Sequence, residues 1–517
     1  MQTTTTRPLG YRIPAPGYQV LPPAARRSRL PLPPKVSALE WCFALMQLLI
    51  AALSFLFSNY GALRIIITCL TILAAVQLIA SLKHILTSRA FGLPILNASS
   101  IFFFWIEAQY LAFSNPAFAI VGPPIPAGVY SPDLIEAGIF YVTLFQVAML
   151  AGYSFRPRLR ALGGWIAGRV DSQSGFSTLA AYLLAACAVV PLLATYGFSL
   201  SAASNALLNL RKSGRPDWDG LGLLQYARMF GIYAGAYFLA RLCVQRQFKN
   251  VWVLLVTAVT ITPFVLTGTR HLALYAFIPT LVLLVKNRSQ GKLHLGHLSA
   301  WTTAALVVFV VLQLQMQLRQ RGVTDVTAVK ASDVANLNVT YQFSSLLFAR
   351  YLVPTFHPYF KEVPEPYFVI YWVPRSFWPD KPFMKSWEVF DADYTRGRHF
   401  NVTPSIVGQF YLNWGIFGVI RAGLMMGFFA YIADHLLMRI DTKRQLATSV
   451  MVGMFYAFII SIFRFYAPMY FGYFAFGIVG ALLLTRKQLP VIQSVSSVIL
   501  PKLPYAPTKG GWRRSGQ

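Results

Sequence analysis

The sequence predicts an all-α polytopic membrane protein, and three observations carry that prediction. Of its 517 residues, 56% are hydrophobic and only 12% are charged, where a soluble chain carries about 25% charged residues. The apolar residues gather in repeated runs near the roughly 20 residues that cross a bilayer core. Between the runs lie mostly short loops whose Lys and Arg fall largely on one side. A soluble multidomain enzyme and a disordered chain are both excluded by these numbers.

Twelve candidate spans lie near 38–58, 62–81, 99–115, 132–153, 177–197, 221–241, 250–267, 271–286, 299–318, 406–434, 447–464 and 467–485. Residues 1–37 precede them; the first 35 hold eight prolines, six Lys/Arg and no acid. This segment lacks the apolar run of a signal peptide and reads as a disordered basic tail, with anionic lipid headgroups as a possible contact. Spans one to nine fill 38–318, one large outer loop takes 319–405, spans ten to twelve fill 406–485, and a second basic tail covers 486–517.

With the first tail inside, the inner segments hold 27 of the 45 Lys/Arg, while the outer segments 59–61 and 115–131 hold none. Short loops that keep Lys and Arg inside follow the positive-inside rule, so both termini are expected in the cytoplasm. The net charge of +28 is then topogenic, and no nucleic-acid partner is expected. Cys42, Cys69, Cys187 and Cys243 sit one per apolar run. That spacing predicts small buried hydrophobes, with neither a metal site nor a disulfide framework.

The chemistry concentrates at the outer face. Loop 198–220 carries Arg211-Lys212-Ser213-Gly214-Arg215, three cations on a side that normally avoids them. Arg recognises phosphate bidentately and Lys acts as a point charge, so an anionic partner is one reading. A solvated turn paired with Asp217 and Asp219 is the other. The run Leu266-Thr267-Gly268-Thr269-Arg270 interrupts an apolar hairpin and sets one cation at headgroup height, where Arg270 either meets a lipid-linked substrate or anchors its span.

Within the long loop, Tyr371-Trp372-Val373-Pro374-Arg375-Ser376-Phe377-Trp378-Pro379-Asp380-Lys381-Pro382 sets rings beside charges, the composition of a sugar-phosphate groove. His399 follows, and His357 is the loop's other histidine; a lone His is more often structural than catalytic. Asn338 and Asn401 begin glycosylation-like triplets of a kind common by chance. Glu107, Arg228, Arg421 and Asp434 are ionisable residues inside apolar runs and therefore functional suspects. Asp434 lies near the inner end of its run, within reach of water, while Glu107 and Arg421 form the more interesting pair. No HExxH, phosphate-binding glycine loop or GxSxG occurs. The first outer loop has no carboxylate and no cysteine lies at the outer face, which argues against acid-dependent membrane transferases and cysteine transpeptidases.

The chain resembles the Wzy-type O-antigen polymerases of bacterial inner membranes. The features that carry the resemblance are the Thr-Gly-Thr-Arg turn at 267–270, the Pro374–Pro382 run late in the largest outer loop, and Asn401-Val402-Thr403-Pro404-Ser405 followed by Gly408, Tyr411, Asn413, Trp414 and Gly415. With the span count, the likeness covers roughly residues 40–485.

The resemblance implies about twelve transmembrane helices in a GT-C-like polymerase or ligase architecture, with 319–405 as the periplasmic loop. It implies transfer of a growing glycan from undecaprenyl pyrophosphate to a sugar hydroxyl on a lipid-linked repeat unit, with no cofactor and no metal. Arg270, Arg211 and Arg375 are assigned to the pyrophosphate, with Lys381 in support. Lys212, Arg215, Trp378 and His357 complete the substrate-binding set. His399 is assigned as the base, with Asp380 or Glu365 in reserve. The expected partners are lipid-linked oligosaccharides, membrane lipids and a chain-length regulator protein. An O-antigen ligase-like transferase and a non-enzymatic flippase or exporter are the alternatives. The absence of a sequence repeat with polar residues at mid-membrane weighs against a transporter.

Overall fold

The computed structural model describes residues 32–57, 60–113, 127–157, 159–172, 174–199, 201–202, 224–266, 270–287, 342–370, 373, 377–395, 404–442, 444–464 and 467–487. The first helices in chain order are α1 (Ala38–Phe57), α2 (Leu63–Ser88), α3 (Gly92–Ser100), α4 (Ile106–Phe113), α5 (Pro132–Ser154) and α6 (Arg160–Ala167), followed by strand β1 (Arg169–Asp171). Next come α7 (Gly175–Thr195), α8 (Leu224–Val244), α9 (Val251–Leu266), α10 (Arg270–Asn287), α11 (Gln342–Leu352), α12 (Tyr367–Ile370) and α13 (Lys385–Thr395). The chain closes with α14 (Ile406–Leu437), α15 (Leu446–Arg464), α16 (Ala467–Leu484) and strand β2 (Thr485–Lys487).

Five of these helices, α1, α2, α5, α14 and α15, are long and apolar enough to cross a membrane, and shorter apolar helices lie within α7, α9, α10 and α16. The predicted run 299–318 lies outside the described residues. The third run is not one straight helix: α3 begins at Gly92, and a π turn over Ile101–Trp105 joins it to α4. The all-helical expectation also meets one small exception, the antiparallel pairing of β1 with β2.

The bundle keeps a hydrophobic core but also turns apolar side chains outward. Helices α1 and α2 expose Leu49, Leu53, Leu56, Ile65, Ile72 and Ile79 and bury Glu40, Gln47, Gln77 and His84. Gln47 Nε2 donates to Gln77 Oε1 at 2.8 Å, and His84 Nε2 lies 2.8 Å from Glu40 Oε1. In hydrocarbon, polar groups find partners only inside the bundle. Cys42 and Cys69 are exposed on these helices, and Cys187 and Cys243 are half-buried. The expectation that the four cysteines are buried is therefore corrected: a thiol is apolar enough to face lipid, so membrane burial does not require packing against protein.

The core seam joins α5 to α14 and depends on small residues one turn apart. A Cβ at Gly423 would lie 2.5 Å from the Ala148 Cβ, and a Cβ at Gly427 would land on the Met149 carbonyl oxygen. Gly152 meets the Leu424 carbonyl oxygen in the same way. Such spacing lets two backbones approach, so dispersion contacts and close packing hold helices that hydrophobicity cannot drive together in lipid. Gly427→Leu is expected to lower the melting midpoint in detergent strongly. The obstacle is backbone, and overpacking of this kind costs about 1–3 kcal/mol or more. Gly164→Ala in α6, where nothing lies within 4 Å, should leave the midpoint unchanged or slightly raised; equal losses in the two variants would refute the seam.

Acidic side chains are few, 17 in all, and several cap helix N-termini, where backbone N–H groups lack intrahelical partners. Glu107 accepts from the Phe343 and Ser344 N–H groups at 2.8 and 3.1 Å, at the start of α11. Asp171 accepts from Leu446 and Ala447 N–H at 2.7 and 3.1 Å, at the start of α15. Glu362 takes Lys385 and Ser386 N–H at 2.8 and 3.1 Å, at the start of α13.

Asp434 does the same for α3, accepting from Phe91 N–H at 2.7 Å and Gly92 N–H at 2.9 Å, and adds the hydroxyls of Tyr153 and Tyr456, each at 2.6 Å. Asp434 is fully buried, so its expected reach to water is corrected. The packing of α3 and α15 around it replaces solvent with fixed donors.

One end of the bundle collects several basic segments. Arg89 donates to the Lys286 carbonyl at 2.6 Å, and Lys286 Nζ donates to the Ile440 carbonyl at 2.6 Å. Arg169 pairs with Lys487 in the two-stranded sheet. The segments following α2, α5, α10, α14 and α16 therefore meet at this end.

Candidate functional site

The opposite end of α14 organises the described residues between 342 and 395. Ser405 caps the helix, its Oγ accepting from Gly408 N–H at 3.1 Å. Gly415, at φ +58°, then breaks the helical path, a backbone conformation that glycine adopts without steric cost. The kink leaves carbonyls of the preceding turn without their usual intrahelical donors. Phe360 N–H donates to the Leu412 carbonyl at 3.2 Å and Lys361 N–H to the Asn413 carbonyl at 3.1 Å.

The side chains around the kink complete the docking. Asn413 Oδ1 accepts from Glu362 N–H at 3.1 Å, and Trp414 Nε1 donates to the Glu362 carbonyl at 2.9 Å. A Cβ at Gly415 would fall 2.9 Å from the Tyr359 hydroxyl. Tyr411 sits between Tyr141 and Tyr359, with ring centroids at 4.9 and 6.1 Å. The motif Gly408, Tyr411, Asn413, Trp414 and Gly415 thus acts as a socket for residues 359–362.

Helix α11 forms the wall behind this socket. It belongs to the stretch expected as an outer loop, yet Phe343, Leu346, Leu347 and Phe348 are buried among α5 and α14. Glu107 holds its N-terminus, and Gly138 of α5 leaves room for Leu347 and Phe343. Amphipathicity could not reveal this element, because it is buried nearly all round.

Just beyond the socket, Arg421 forms an ion pair with Glu365 at 2.7 Å, with the two side chains 41% and 35% exposed. The Glu365 Oε1 atom takes the guanidinium, and Oε2 has no hydrogen-bond partner among the described residues. That oxygen keeps unused acceptor capacity beside the guanidinium, but it is closed off in this structure, so a substrate hydroxyl reaches it only when neighbouring side chains move aside. Arg421 stands six residues past the kink, or about 9 Å along the helix at 1.5 Å per residue. With 15 residues of α14 before it and 16 after it, Arg421 stands near the middle of the helix.

The sequence candidates divide three ways. Asp380 and Trp378 are exposed. Lys381 Nζ donates to the Val373 carbonyl at 2.8 Å, and His357 Nε2 lies 2.9 Å from Asp393 Oδ2. Arg270 opens α10, placing its backbone at the end opposite Lys286; its side chain lies outside the described residues. His399, Arg211, Lys212, Arg215, Arg375, Asn338 and Asn401 also lie outside the described residues.

Glu107 and Arg421 do not meet: Glu107 caps α11, and Arg421 takes Glu365. A helix N-terminus supplies two N–H donors already fixed in place, whereas the long Arg421 side chain reaches Glu365 in the segment between α11 and α12. Arg228 is likewise engaged, hydrogen-bonded to Tyr473. Sequence reasoning missed the Glu362 cap and the role of Tyr359. The one available signal was the closeness of Glu362 to Glu365 in a chain with so few acids.

No family model matches the chain, and no curated protein or solved structure proves similar to it.

Proposed function

We propose that the chain is a lipid-linked oligosaccharide polymerase of a bacterial inner membrane, working beside the Gly415 kink of α14. The observation that carries this reading is the Arg421–Glu365 pair, whose second carboxylate oxygen is buried without a hydrogen-bond partner among the described residues, set beside a socketed segment rich in aromatic residues. On this reading the basic end, where Arg89, Lys286, Arg169 and Lys487 gather, faces the cytoplasm under the positive-inside rule. The kink and the socketed segment then lie on the periplasmic side, as do the start of α10 and the Trp378–Lys381 turn.

In the reaction, an acceptor sugar hydroxyl attacks the anomeric carbon of the growing glycan. The bond from that carbon to the undecaprenyl pyrophosphate oxygen breaks, and a glycosidic bond forms. The acceptor proton passes to a base, for which Glu365 joins His399 as a candidate. The charge developing on the leaving pyrophosphate falls to cations, Arg421 now added to Arg270, Arg211 and Arg375, since donors aimed at developing charge lower the barrier most. Exposed Trp378 and Phe377 offer ring faces to the apolar sides of sugars.

The test is chain extension by purified protein in nanodiscs, given undecaprenyl-pyrophosphate-linked repeat units from the source strain with chelator present. The expected product is a ladder on a gel, made without nucleotide sugar. Folded protein that leaves the repeat units unextended would sink the polymerase reading and advance the ligase and exporter readings.

A further inference from the structure

The basic end of the bundle carries a cavity of about 590 Å³, open to the surface on one side, that the proposed transfer chemistry does not use. Volumes of about 300–1,000 Å³ are typical of small-molecule sites. Three guanidinium groups from elements far apart in sequence line it: Arg241 from the last turn of α8, Arg444 from the turn before α15, and Arg486 from β2. Strand pairing sets Arg486 opposite Val170, and Ser177 and Thr178 bring the start of α7 to the same wall.

Asp171 is the one acid in the lining, and both of its oxygens already accept backbone N–H groups of α15. Burial pushes its carboxyl up to about 6, against the pull of those N–H groups and of Arg241. The arginines have little else to neutralise them. Among the described residues no carboxylate lies within ion-pair distance of Arg241 or Arg486, and Arg444 has only Asp441 at 3.9 Å, both side chains being well exposed. The Arg241 guanidinium lies 6.0 Å from the ring centroids of Tyr237 and Phe238, which orients it without cancelling its charge.

Like charges brought together repel unless an anion joins them, and Arg binds phosphate through paired N–H donors. Basic pockets between membrane helices bind lipid headgroups by this chemistry. We propose that this cavity is a phosphate-binding site, occupied by the headgroup of an anionic phospholipid in the adjacent leaflet or by a free phosphate ion. The site is separate from the proposed transfer reaction and does not depend on it.

The test uses delipidated full-length protein in phosphatidylcholine nanodiscs, read by melting midpoint. One arm adds phosphatidylglycerol to the bilayer; the other adds inorganic phosphate, with sodium chloride at matched ionic strength as control. At least one probe is expected to raise the wild-type midpoint by roughly 2–4 °C. The Arg241→Gln/Arg486→Gln double variant should lose that rise. Arg486→Gln alone, at an exposed position, should lose part of it without endangering the fold. A rise with phosphatidylglycerol only assigns a lipid headgroup, and a rise with phosphate only assigns the free ion. No rise beyond the chloride control, or a rise in the double variant as large as in the wild type, overturns the proposal.

Discussion

Asp434→Leu is expected to abolish recovery of folded protein, while Tyr153→Phe lowers the melting midpoint only modestly. Asp434 receives the N–H groups of Phe91 and Gly92 and the hydroxyls of Tyr153 and Tyr456, and it is fully buried. Leucine would leave all four donors facing an apolar side chain. Each orphaned buried group costs about 1–3 kcal/mol, and the sum rivals the ~5–15 kcal/mol stability of a whole domain. Leucine is also bulkier at a point where even a Cβ at Gly92 would lie 2.8 Å from Asp434 Oδ2.

Tyr153→Phe removes one donor together with its bond, leaving the carboxylate three others, so the expected loss is about 1–2 kcal/mol. Fluorescence-detected size exclusion and thermal unfolding in detergent read both variants. An Asp434→Leu protein that stays monodisperse and melts with the wild type would refute this account of the α3–α14–α15 junction.

Arg421→Ala is expected to slow chain extension by roughly 10²–10³-fold, the loss typical when one donor to a developing negative charge is removed. Stability should scarcely change, because a partly exposed ion pair contributes only about 0–1 kcal/mol. This contrast separates a role in transfer from a role in holding the outer segment, which Asn413, Trp414 and the Leu412 carbonyl already secure. Glu365→Gln keeps the shape of the side chain and removes its capacity to take a proton. It should therefore also fall sharply in rate while melting like the wild type. Arg421→Lys keeps the charge but loses the planar fork, so an intermediate rate is expected. An Arg421→Ala protein that extends chains at the wild-type rate would remove the pair from the site, leaving Arg270 and the loop cations to carry the reaction.

The candidate site was legible in part. Arg421 was singled out as an ionisable residue in an apolar run, and Glu365 was named as a reserve base. Gly408, Tyr411, Asn413, Trp414 and Gly415 were picked out as a motif. Their mutual placement is not legible in the sequence, and neither is the partner of Glu107. Spacing along one chain cannot show that the Glu107 carboxylate meets N–H groups 236 and 237 positions later. Glu362 went unnoticed because a capping carboxylate in a loop has no pattern of its own; its meaning comes from the helix start that folding brings to it.

The helical, strongly apolar character of the chain, with helices long enough to cross a membrane, is legible in the sequence alone. Hydropathy is a sum over neighbours along the chain, and the bilayer responds to that sum helix by helix. The tertiary structure alone decided where the scarce acids go, how close α5 and α14 approach, and that α11 lies buried against them. A buried charge in a low-dielectric interior is tolerated only with partners. Those partners come from remote segments: Asp434 meets Phe91 across 343 positions, and Arg421 meets Glu365 only after Gly415 bends the helix between the socket and the pair.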